Sequence, residues 1–145
     1  MDSFLNDLLN ASKDSIINHK LAAIIFKGNT ILSKACCNSP KNSNKKILDH
    51  YTNHGSIHAE ANAILNYYGK NFYYNKYKSV VYLPNDIKKN NIDLMVARFN
   101  KSGLMCNARP CYNCLELMKI IGIRKVYYTT DDGILCEEIK KMISI

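Results

Sequence analysis

Two short segments about 50 residues apart constrain this chain more than anything else in it: His58-Ala59-Glu60 and Pro110-Cys111-Tyr112-Asn113-Cys114. Each reads as the start of a helix, and a strand reads between them. Cys111 and Cys114 are three apart, which puts their sulfurs on one helical face. A helix N-terminus carries partial positive charge and favours thiolate over thiol. Thiolate is the form that ligates zinc, and His58 can add a neutral nitrogen. Three protein ligands leave the fourth tetrahedral position to water, which is how a catalytic zinc site differs from a structural one. The fold must therefore bring two distant helix starts to one point.

The hydrophobic pattern supplies the elements. Phe4, Leu5, Leu8, Leu9, Ile16 and Ile17 recur at helical spacing and predict a first helix over 3–18, with Asp2 or Ser3 as N-cap. Residues 21–26 read as a buried strand, Gly28-Asn29 as a hairpin turn, and 30–32 as the partner strand. The polar run from 36 to 55 reads as a loop. Ser56 can cap a helix running to Tyr68 that Gly69 ends. Residues 80–83 form a short strand or a buried loop, and 92–99 a strand. After a turn at 101–103, residues 104–107 can pair back. Pro110 suits a helix start, and that helix runs to Gly122. A strand at 125–130, a turn at Asp131-Asp132-Gly133, a strand at 134–137 and a short C-terminal helix follow. The expected order is α-β-β-α-β-α-β-β-α. It makes one domain over 1–145, a length that suits a single core.

Glu60 lies two residues after His58, about 200° round a helix. It is poorly placed as another ligand on the same face. It can instead hang beside the open position and take a proton from the water there, whose pKa zinc lowers towards neutrality. Glu60 is thus the candidate acid–base group.

His-x-Glu followed by Pro-Cys-x-x-Cys is a signature of zinc deaminases, and the chain resembles the cytidine/deoxycytidylate deaminase superfamily. The likeness extends over roughly residues 20–135. Residues 31–38 resemble the family's second strand and the Asn after it. Residues 57–64 look like the deoxycytidylate type, and 122–128 resemble the strand after the zinc helix. The resemblance implies a three-layer α/β fold, with one mixed five-stranded sheet and helices on both faces. It implies Zn²⁺ on His58, Cys111 and Cys114, with Glu60 shuttling protons as an amine leaves a ring carbon. It also implies substrate contacts at Asn38, where relatives hold the sugar, and at Ala59 and Tyr128. Small deaminases of this superfamily often form dimers or tetramers, so a homo-oligomer is an open expectation.

The chain also departs from the deoxycytidylate type. There the last two strands run parallel with a helix between them, and such a crossover needs about a dozen residues. Only 15 residues follow Thr130, and they begin with a hairpin signal. The last two strands should therefore be antiparallel. That resembles the branch holding free-cytidine deaminases, bacterial toxin deaminases and plant organelle RNA editors. His58 as first ligand matches the toxin and organelle types.

The substrate stays divided between two readings. The formal charge is +8 and the pI about 9.2, which suits a polyanion. Tyr74, Lys76, Tyr77 and Lys78 interleave aromatic and basic side chains, as candidate contacts to a single strand. Yet there are 17 Lys against 3 Arg, and an AT-rich genome alone favours Lys, Asn, Ile and Tyr. Tyr rings packed on the core explain the same segment. Single-stranded nucleic acid is favoured; free cytidine, deoxycytidine or its monophosphate is the alternative. Adenine deamination, and a non-catalytic nucleic-acid-binding zinc module closed by Cys106 or His54, are further alternatives. Arg98, Arg109 and Arg124 are the available bidentate readers.

No run approaches the roughly 18–20 apolar residues of a membrane span. The start Met1-Asp2-Ser3 carries an acid where a signal peptide has its positive end. No membrane partner is expected, and an intracellular location, cytoplasmic or nuclear, is. In such a setting six cysteines argue for metal binding or free thiols rather than disulfides.

Overall fold

The computed structural model describes residues 2–15, 20–33, 35–40, 56–68, 73–75, 80–82 and 91–142, with only the backbone described in the short strands at 39–40, 56–57, 73–75 and 80–82. Its centre is a pair of long buried strands. β1 (Lys20–Lys27) and β8 (Asp93–Phe99) run antiparallel, from Lys20↔Phe99 to Phe26↔Asp93. Both are apolar on both faces, as a central strand covered on two sides must be. Alternation divides their side chains. Ala22, Ile24, Phe26, Met95, Ala97 and Phe99 face one way, and Ala23, Ile25, Leu94 and Val96 the other.

The first face is covered by α1 (Asp2–Ser12), through Phe4 and Leu8. The second is covered by α2 (Ala59–Tyr68) and α3 (Tyr112–Ile121). Ala59, Ala61 and Ala63 are buried in α2, and their small side chains let the helix lie close to the sheet. The result is the expected three-layer arrangement. Leu8 is fully buried between α1 and the sheet. Leu8→Ala should cost about 2–5 kcal/mol in urea unfolding, as expected for a lost core leucine. A cost near zero would mean that α1 is no part of the core.

The sheet is mixed, and its main path has five strands. β10 (Lys125–Thr130) lies parallel to β8, reached through α3, and β11 (Gly133–Glu138) returns antiparallel to β10. The last two strands therefore form the expected hairpin, paired from Lys125↔Glu138 to Thr130↔Gly133. Thr130 Oγ1 accepts from Asp132 N–H at 3.2 Å and donates to Gly133 O at 2.8 Å, closing the turn. On the other side, β2 (Thr30–Ile31) and β3 (Cys36–Cys37) both pair with β1, so one edge position is shared by two segments. Gly28 opens the β1–β2 turn at φ 59°, as a two-residue hairpin loop demands. β9 (Met105–Cys106) pairs back on β8, which raises the sheet to seven strands.

Asp93 aligns the parallel pair. Its carboxylate is buried and accepts from Arg124 Nε and Nη2 at 3.1 and 2.8 Å and from Lys125 N–H at 3.1 Å. Lys125 is the register partner of Asp93. A single acid thus clamps the first residues of β8 and β10.

Several boundaries differ from the sequence reading. The first helix ends at Ser12 rather than near 18; Ser12 turns its hydroxyl back to Leu9 O. Ser56 caps no helix. With Ile57 it forms β5 (Ser56–Ile57), paired to β4 (Ser39–Pro40) inside the stretch read as loop. Residues 80–82 do form a strand, β7 (Val80–Tyr82), but it pairs with β6 (Tyr73–Asn75) outside the main sheet. The C-terminal helix is one 3-10 turn, Ile139–Lys141. Among the described residues no helix is long and apolar enough to cross a membrane.

Candidate active site

The two half-sites meet, and both meet at helix N-caps. Asn62 N–H bonds to His58 O at 2.9 Å, and Leu115 N–H to Cys111 O at 2.9 Å. His58 and Cys111 therefore stand just before their helices, with Glu60 and Cys114 in the first turns. This corrects two expectations: His58 lies outside the first turn of α2, and Pro110 precedes the cap of α3 rather than opening the helix. The sulfurs still converge, because the N-cap and the third helical position adjoin one another. α3 ends at Gly122, in the left-handed region at φ 78°, with Ile123 N–H closing on Met118 O at 3.0 Å.

His58 Nδ1 lies 3.4 Å from Cys111 Sγ and 3.5 Å from Cys114 Sγ. Ideal Zn–S and Zn–N bonds at tetrahedral angles put such atoms about 3.6 Å apart. Among the described residues, these three form the one group able to hold a metal, with ligand atoms within 4.8 Å of one another. Cys106 Sγ instead lies against Leu104 O at 3.7 Å, and His54 is outside the described residues.

Electrostatics agree with the donor set. Cys111 is lowered to about 4, chiefly by a hydrogen bond from Cys114, with His58 adding to the effect. Cys114 is raised by the Cys111 beside it and by burial. His58 is raised by its bond to Cys111. A thiol so lowered beside an imidazole gives up its proton readily, as a metal ligand must. Glu60 is buried, burial raises its pKa, and its Oε1 has no hydrogen-bond partner. An orphaned buried carboxylate oxygen beside three candidate metal ligands fits a water held at a fourth position.

A cavity of about 300 Å³ opens beside these groups, and its lining includes Asn38, Ala59, Glu60, Arg98 and Arg109. Asn38 follows β3, and its Oδ1 accepts Leu21 N–H at 3.0 Å. Asn62 Nδ2 donates to Cys37 O at 2.8 Å and ties α2 to that edge. The opposite wall hangs on Thr129, whose hydroxyl donates to Cys106 O at 2.8 Å and whose carbonyl accepts Ala108 N–H at 2.9 Å.

Of the candidate site residues, His58, Ala59, Glu60, Cys111 and Asn38 line this cavity, and Cys114 completes the ligand group. Tyr128 is not in the lining; its hydroxyl donates to Glu137 Oε2 at 2.6 Å, and Arg109 Nε donates to the same oxygen at 3.3 Å. Lys76, Tyr77, Lys78 and the side chain of Tyr74 lie outside the described residues. Arg98 and Arg109 were legible only as scarce arginines; the fold puts both in the cavity and leaves Arg124 on Asp93. The direct adjacency of Arg109 to Pro110-Cys111 is the sequence signal for it.

Three candidate ligands with an adjoining buried acid match the donor count of an open zinc site, where a structural site has four. The chain belongs to the cytidine and deoxycytidylate deaminase family, whose zinc-binding region matches residues 2–130. It is a deaminase of the cytidine class, and the family binds zinc. In fold it is similar to a cytidine deaminase from Burkholderia pseudomallei, known from a 1.6 Å crystal structure. The TM-score is 0.59 at 12% identity, covering 95% of this chain and 91% of that one. No curated protein matches it in sequence.

Proposed function

We propose that the chain hydrolyses the exocyclic amine of cytosine to give uracil, and that it prefers cytosine in single-stranded nucleic acid. The observation that carries the chemistry is Glu60: a buried carboxylate with an unpartnered oxygen, two residues from His58 and facing the cavity. His58, Cys111 and Cys114 would hold the zinc. When bound, zinc supplies the charge that makes water acidic enough to serve as nucleophile near neutral pH. Glu60 accepts the proton of that water and delivers it to the ring nitrogen. The C4–O bond forms; Glu60 then takes the proton of the new C4 hydroxyl and passes it to the amine, so that the C4–N bond breaks and ammonia leaves. Burial suits this role, since a raised pKa brings a carboxylate nearer the operating pH. Asn38, its Oδ1 held by Leu21 N–H, lines the cavity where it would meet the sugar.

Three features favour a nucleic-acid substrate. The net charge is +8. Two arginines line the cavity. Tyr112, 61% exposed directly after Cys111, can stack a neighbouring base. A stacked base keeps its reacting carbon out of reach of such a site, so the target comes from a single strand or is flipped out. The test is parallel incubation of the zinc-loaded protein with cytidine, deoxycytidine, deoxycytidylate, single-stranded DNA, duplex DNA and RNA, reading uracil by mass spectrometry. Oligonucleotide deamination should fall steeply from low to physiological salt, since each phosphate contact contributes a slope of about −0.7 in log K against log salt on a single strand. Tyr112→Ala should raise the oligonucleotide KM more than that for deoxycytidine. Efficient turnover of free nucleotide, with oligonucleotide untouched at every salt, would refute the preference.

A further inference from the structure

β1 begins at Lys20 and β8 ends at Phe99, and these two residues are register partners at one end of the sheet. The next rung inward is Leu21↔Arg98, and both of its residues line the catalytic cavity. Alternation turns Lys20 and Phe99 to the opposite face. There a second hollow, of about 490 Å³, opens between them, the end of α1 and the turn after β8. The two hollows therefore stand back to back at one rim of the sheet, a single residue apart along each strand. We propose that the second hollow, through Lys13, Lys20 and Lys101, holds nucleotides that flank the target in a single strand of nucleic acid passing over this rim. The proposal rests on the strand-deaminase reading above and adds a docking site outside its catalytic cavity.

Three of the nine residues lining the hollow are lysines, against 17 of 145 in the whole chain, and none is an acid. The general richness in Lys therefore does not account for them. Lys13 and Lys101 are exposed and Lys20 is half-buried. Lys20 Nζ donates to Ser15 O, which holds its charge near the end of α1. Lys101 sits on a braced turn: Asn100 Oδ1 accepts Ser102 N–H at 2.9 Å and Leu104 N–H at 3.0 Å, and Gly103 N–H closes on Asn100 O at 3.0 Å. Leu9 and Phe99 add apolar surface to the same lining. That mixture suits flanking nucleotides, whose bases and sugars take apolar cover while their phosphates take cations. Lysine is a point charge without the planar fork of Arg, so such a site follows the backbone rather than the sequence. A further basic hollow, at the far end of α3, holds Lys119 and Lys140 but also Glu138, and its Arg124 is spent on Asp93.

The experiment reads binding of a fluorescent single strand with one central cytosine by anisotropy across a salt series, on zinc-loaded protein. Lys13→Ala/Lys101→Ala should weaken binding and flatten the plot of log K against log salt by about 0.7 for each lysine. Both side chains are exposed, so the fold should be kept. Lys119→Ala/Lys140→Ala removes the same charge at the far end of α3 and should leave the slope at its wild-type value. In turnover, the first pair should raise KM for the strand and leave KM unchanged for deoxycytidylate, which has a phosphate but no flanking nucleotide. Equal flattening by both pairs would assign the binding to net charge and overturn the site. A strand that does not bind, or KM for deoxycytidylate rising as much as KM for the strand, would overturn it too. Strand deamination and a slope that both ignore Lys13→Ala/Lys101→Ala would overturn the site and leave the deaminase reading intact. A strand bound with the expected slopes but never deaminated would sink that reading and leave the docking site standing.

Discussion

Glu60→Gln should abolish most turnover while leaving zinc content at one ion per chain and the fold intact. Gln has the shape of Glu and removes no ligand. What it removes is the ability to carry a proton from water to the ring and on to the leaving amine. Positioned acid–base groups contribute about 10²–10⁴ in rate, and Glu60 serves more than one proton transfer, so the loss belongs at the upper end. Stability should hold or rise, since the carboxylate is buried with one oxygen unpartnered, and a neutral amide is easier to bury. Near-normal kcat on any substrate, with full zinc content, would show that Glu60 is not the proton carrier. Loss of zinc in this variant would instead make Glu60 a ligand and end the three-ligand reading.

Cys111→Ala should have the second large effect, on metal and on stability together. Cys111 is exposed, so truncating it removes little packing. The effect should therefore come almost wholly from the lost ligand. Cys114 is fully buried in the core, and Cys114→Ala would mix the two causes. A ligand bound only by the native state stabilises it by about 2.7 kcal/mol at a hundredfold excess over Kd, and about 4.1 at a thousandfold. At about 2–4 °C per kcal/mol for a domain of this size, zinc should raise the wild-type Tm by about 5–15 °C. A chelator should remove that increment. Cys111→Ala should melt near the chelated wild type and ignore the chelator. A variant that keeps stoichiometric zinc and its chelator sensitivity would show that Cys111 is no ligand. Elemental analysis and a thermal scan decide both points.

The elements that carry these predictions were legible to different degrees. The ligand set was readable because its chemistry admits few alternatives. Two cysteines three apart before an apolar helical run, with His-x-Glu earlier, leave little else for a chain to build. The antiparallel end was readable from its turn, since Asp131-Asp132-Gly133 directly after the strand is a hairpin signal. The central strands were readable as unbroken apolar runs. Less legible were features set by partners distant in sequence. Ser56 had the chemistry of a helix cap, but the β4 backbone claimed its residue for a strand. The spacing of Ile16 and Ile17 extended the first helix on paper, while Ser12 bonded back to Leu9 and the chain turned at 13–14.

Tyr128 shows the difference most clearly. Resemblance made it a substrate contact, whereas the fold gives its hydroxyl to Glu137, nine residues on, and Glu137 to Arg109, 28 residues back. By itself the sequence determined the metal-binding chemistry, the candidate for proton carrier and the alternation that sorts three layers, because those depend on residue type and on spacing along one element. Only the tertiary structure decided which of three arginines enter the cavity and which is spent on Asp93. That choice depends on hairpin register and on the parallel β8–β10 pairing, which join residues about 30 positions apart, and no local pattern of side chains encodes such a meeting.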